Sequence, residues 1–97
     1  MFIIDIHYIV PLEEVDKYMD PHVQHLQKYY DAGNFIVWGR KEPRTGGVIL
    51  GLADSKEAVE RIIAEDPFYK HQLAQFTITE FIPRKYHPDL EDLLGNP

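Results

Sequence analysis

Four apolar runs with the short period of strands alternate with two stripes of helical period, and their order leaves few folds open. Phe2, Ile4, Ile6, Tyr8 and Val10 fall on one side of the first run, with Ile3, Asp5, His7 and Ile9 on the other. That is the alternation of a half-buried strand. Pro11 ends it. Leu12–Met19 suits a short helix. Asp20-Pro21 then reads as an N-cap followed by a proline at the first helical position. Val23, Leu26 and Tyr30 recur at helical spacing as far as Gly33, a residue suited to ending a helix. Asn34–Trp38 and Val48–Ala53 read as strands, joined by the loop GRKEPRTGG at 39–47. Asp54-Ser55-Lys56-Glu57 resembles a capping box with Asp54 as the cap. It opens a helix whose apolar stripe is Ala58, Val59, Ile62 and Ile63. Phe68–Leu73 has room for one more helical turn, and Gln75–Ile82 alternates as the fourth strand.

The order β-α-β-β-α-β predicts an α+β, ferredoxin-like domain over 1–83: a four-stranded antiparallel sheet with two helices on one face. Residues 84–97 form a C-terminal tail, with one helical turn marked by Leu90, Leu93 and Leu94. The sheet face without helices must be wetted or covered. In so small a chain, large apolar groups there predict a partner, most simply a second copy in a two-fold homodimer.

Ninety-seven residues suffice for one core only. The net charge of −6 argues against nucleic-acid binding, which needs a basic face. No window is long and apolar enough to span a membrane. The opening MFIIDIHYIV has no basic segment ahead of its apolar run and does not read as a signal peptide. The chain has no cysteine, which excludes disulfides, thiolate nucleophiles and cysteine zinc sites, and fits the cytoplasm. Ser55, the only serine, is accounted for by a helix start, and no Gly-x-Ser-x-Gly elbow is present.

The stretch AEDPFYKHQ, 64–72, sets Glu65 and Asp66 at the end of the second long helix. An anion at a helix C-terminus is disfavoured by roughly 0.3–1 kcal/mol. Asp66 therefore either caps a new short helix that begins at Pro67, or is held for chemistry. The two are compatible, because one carboxylate oxygen can accept a backbone N–H while the other orients an imidazole. His22 shares a helix face with Leu26 and Tyr29, so its ring belongs at the margin of the core. It reads either as a partly buried structural histidine or as a general base. His22 and His25, three apart, could also face one metal ion, with His7, His71 or a carboxylate as third ligand. The simpler reading is two unrelated side chains and no metal. Arg40 and Arg44 flank a glycine-rich loop and suit either solvent or a bound anion. The loop does not match a nucleotide-binding P-loop. Trp38 reads as core or interface, and Trp38 or Tyr8 as the wall of any pocket.

The runs PHVQHLQKYYDAGNFIVWGR, PRTGGVIL, DSKEA, EDPF and EFIP, in that order, resemble the YciI-like (YCII-related) family. The resemblance covers Phe2 to about Pro83. It implies a dimeric α+β barrel, two ferredoxin-like sheets packed face to face, and a catalytic His–Asp pair in a pocket. By position that pair is His22 and Asp66. Many members have glycine-proline after the second strand; here Gly39-Arg40 stands there and alters the pocket mouth.

Three functions follow as expectations. The first is a small cofactor-independent enzyme in which His22 moves a proton and Asp66 sets its tautomer. Trp38, Arg40 and Arg44 would line the substrate site. The reaction would be an isomerisation, elimination or lyase step on a small carbonyl, lactone or aromatic compound. The second is a non-catalytic module that binds a small ligand, and the third a purely structural dimer.

Overall fold

The computed structural model describes residues 1–94. Its elements are β1 (Phe2–Tyr8), α1 (Leu12–Asp16), α2 (Met19–Asp31), β2 (Phe35–Arg40), β3 (Gly46–Gly51), α3 (Lys56–Ala64), α4 (Pro67–Lys70) and β4 (Ala74–Glu80). A 3-10 turn (Pro88–Leu90) and α5 (Glu91–Leu94) follow in the tail. The strands form one antiparallel sheet in the order β2-β3-β1-β4. This is the α+β arrangement that the periodicities predict.

The core lies between the sheet and the helices. Phe2, Ile4 and Ile6 of β1, Phe35 and Ile49 from the sheet, and Leu26, Val59, Ile63 and Phe68 from the helices are all buried. The other sheet face carries exposed Ile3, Val37 and Val48. The tail turns back beside this open face. Ile82, Tyr86 and Leu90 border a second cavity of about 450 Å³ with Val37 and Leu50.

Two helix starts differ from the sequence reading. α2 begins at Met19, and Asp20 caps nothing; Tyr18 holds the cap position without a side-chain bond. α1 runs almost directly into α2, so the helical backbone is established before Asp20. Pro21 then falls in the first turn, where its missing N–H has no helical partner to lose. α3 is capped by Ser55, not Asp54: Ser55 Oγ accepts the Ala58 N–H at 3.1 Å. Gly33, at φ +87°, closes α2 as expected.

β2 contains a bulge that positions the site. Phe35 pairs with Gly51, but Val37 pairs with Leu50 and Trp38 with Ile49. One extra residue is inserted, which exchanges the two faces beyond it. Strict alternation from Phe35 would turn Val37 and Gly39 toward the helices. The bulge turns Trp38 and Arg40 there instead, in register with Ile49 and Gly47.

Candidate functional site

A cleft of about 260 Å³ opens between α2 and the β1-β3-β2 part of the sheet. Ile6, Leu26 and Ile49 form its apolar floor. Met19, Val23 and Trp38 form its walls, and Tyr8, His22, Arg40 and Arg44 are its polar members. The chain can approach this closely only at glycine: a Cβ on Gly46 would stand 1.8 Å from the Ile6 carbonyl oxygen.

His22 arrives from the first turn of α2 and is 6% exposed; Asp66, 2% exposed, arrives from the start of α4. His22 Nδ1 lies 2.9 and 3.0 Å from the two oxygens of Asp66. Asp66 also accepts the Phe68 N–H at 2.8 Å, as the cap of α4. One carboxylate therefore both caps α4 and contacts the imidazole. A carboxylate can only accept, so Nδ1 is the donating nitrogen in this contact. Among the described residues no group hydrogen-bonds Nε2. The imidazole lies flat on Phe68, with ring centroids 3.7 Å apart and planes within 6°. Phe68 is itself fully buried and meets Tyr8 edge-on. Asp66 does not line the cleft; it stands behind the ring.

The other candidates separate by position. Trp38, Arg40 and Arg44 border the cleft with His22. Arg44 is paired with Asp16, and that hydrogen bond holds its pKa above the ordinary value. His25 faces away from the cleft and donates from Nε2 to the Ile62 carbonyl at 2.9 Å. Its Nδ1 is sealed and unpartnered among the described residues. Burial lowers its pKa, so the ring is held neutral. His7 is on the open sheet face, and His71 stacks on Tyr18. Among the described residues no cluster of three metal-ligating side chains forms.

Met19, Val23 and the Phe68 platform were not singled out in the sequence as parts of a site. An aromatic two residues after a capping aspartate was the available signal for Phe68. No comparable signal marked Met19, which is distant in sequence from every other wall residue except those of its own helix.

An imidazole held by a carboxylate and bordering a cleft can take or give a proton. No curated protein matches the chain in sequence. Among solved structures, the fold is similar to 5-chloro-2-hydroxyhydroquinone dehydrochlorinase of Burkholderia phenoliruptrix, determined in complex with 2,5-dihydroxybenzoquinone. The TM-score is 0.71 at 18% identity, over 84% of this chain and 94% of that one. Residues 1–82 match the YCII-related domain, and the protein belongs to that family.

Proposed function

We propose that the protein is a small enzyme that needs only its own side chains for proton transfer. His22 Nε2 acts as general base and then as acid. Asp66 sets the tautomer and stabilises the imidazolium. The observation that carries the reading is the buried contact of 2.9 Å between His22 Nδ1 and Asp66, with His22 among the residues that border the cleft. The substrate would lie between Trp38 and the imidazole, with Arg40 and Arg44 at the mouth. The reaction class is isomerisation, elimination or lyase chemistry on a small carbonyl, lactone or aromatic compound. The structural neighbour's activity on a chlorinated hydroquinone supports the elimination branch by analogy of fold. We also propose that the working form is a homodimer closed over the open sheet face, where Ile3, Val37 and Val48 lie exposed.

The test is turnover of chlorinated hydroxyhydroquinones and small lactones, followed by chloride release and ultraviolet absorbance. His22→Gln is expected to lower kcat by about 10²–10⁴-fold, the usual contribution of a general acid–base group, with the melting temperature nearly unchanged. Ligand-induced stabilisation in both proteins without turnover in either would instead indicate a binding module.

A further inference from the structure

Charge is distributed unevenly around the cleft. The chain has 16 acidic and 10 basic residues, and only four arginines: Arg40, Arg44, Arg61 and Arg84. Two of the four border the cleft, and no aspartate or glutamate does. An acidic protein thus presents a locally cationic opening.

The two arginines are not equivalent. Arg44 is paired with Asp16, so its charge is already compensated. Lys41, the next residue after β2, is paired with Asp5 at 3.0 Å on the opposite sheet face. Arg40 has no carboxylate partner among the described residues and is exposed at the end of β2. The bulge in β2 puts Arg40 on the same side as Trp38, two residues before it. A flat indole and an uncompensated guanidinium therefore border one opening, on the sheet side of the His22 ring.

From this we infer that the natural ligand is a planar monoanion, an aromatic or conjugated ring bearing one carboxylate or phenolate, anchored by Arg40 with its ring against Trp38. A guanidinium binds a delocalised oxyanion through charge-assisted N–H donors, a stronger contact than the stacking it offers a neutral ring. A single uncompensated cation matches a single negative charge. Arg44 keeps its role of tying the β2–β3 loop to the end of α1. The inference rests on the proposed use of this cleft, but not on His22 acting as a base.

Trp38 is the chain's only tryptophan, so its fluorescence reports the cleft directly. The experiment titrates the full chain with benzoate, with 4-cyanophenolate above its own ionisation, and with neutral benzamide. At least one of the two anions is expected to quench saturably, and benzamide to bind at least tenfold more weakly. The anion that binds identifies the preferred oxyanion, carboxylate or phenolate. Arg40→Gln, at an exposed position, is expected to keep the wild-type melting temperature and to weaken anion binding about tenfold or more, the range for a charged hydrogen bond. Arg44→Gln is expected to weaken it less. The inference is overturned if neither anion quenches saturably, if benzamide binds equally well, or if Arg40→Gln binds the anion as wild type does. Loss of turnover in His22→Gln is a separate readout, so failure of the proposed base and failure of the anion anchor can be told apart.

Discussion

Asp66 occupies a place where a carboxylate is costly unless all its neighbours are donors. It follows the last turn of α3, is almost fully buried, and receives the Phe68 N–H and the His22 Nδ1–H. Asp66→Ala removes a cap and strands a buried imidazole N–H. The expected loss is about 2–4 kcal/mol, from the cap and the unpaired donor together, read as a lower denaturation midpoint. Asp66→Asn keeps an acceptor for Phe68 and is expected to retain more of the stability. On the proposed mechanism it would still slow turnover, because an amide cannot stabilise an imidazolium. The pairing of His22 with Asp66 was legible only through the ordered family resemblance. Spacing along the chain gave no reason to prefer Asp66 over the other carboxylates. The N-caps of the two long helices differ from the sequence reading for a physical reason: Asp20 and Asp54 look like caps, but the backbone has already turned helical before Asp20, and Ser55 holds the extended conformation that a cap needs.

Elements bring these groups together, and two of their junctions can be tested without a substrate. β1 and β3 meet at Gly46, where a methyl group would collide with the Ile6 carbonyl. Gly46→Ala is expected to cost about 3 kcal/mol and to lower Tm by more than about 10 °C in calorimetry, since the obstacle is backbone. α2 and α3 are joined by His25, whose neutral ring is enclosed near His22, Lys28, Glu65 and Asp66. Its folded pKa is below the ordinary value of about 6.5, so the unfolded chain binds the proton more readily. This contribution is therefore intact above that pH and is lost as pH falls through it toward the lower folded value. Tm measured from about pH 7.5 to 5.5 should fall more steeply in wild type than in His25→Gln. The order of elements was legible because periods of two and 3.6 are hard to confuse over runs of this length. The bulge in β2 was not: nothing in FIVWGR announces the extra residue, yet it decides that Trp38 and Arg40 face the helices.

At the scale of the whole molecule, the open sheet face is the feature left unexplained by a single chain. Val37 is 59% exposed and Val48 42%. Covering such residues with a second copy would bury them at roughly 25 cal/mol per Å² of apolar area. Sedimentation velocity of the wild-type chain is expected to give a dimer, and Val48→Lys, which places a charge in that face, a monomer with a lower Tm. A wild-type monomer at micromolar concentration would remove the dimer from the proposal. Among the described residues no helix is long and apolar enough to cross a membrane.

The fold is two β-α-β halves joined by the short connection at 41–45, and the halves divide His22 and Asp66 between them. The first, ending with β2, owns the imidazole; the second, beginning with β3, owns the carboxylate. Neither fragment holds both members of the pair. Their strands interleave in the sheet, β1 lying between β3 and β4, so His22 and Asp66 meet only as the sheet itself closes. If the proposed proton transfer holds, a chain cut within that connection should be inert as separate pieces and regain turnover on mixing, which would make activity a direct gauge of reassembly.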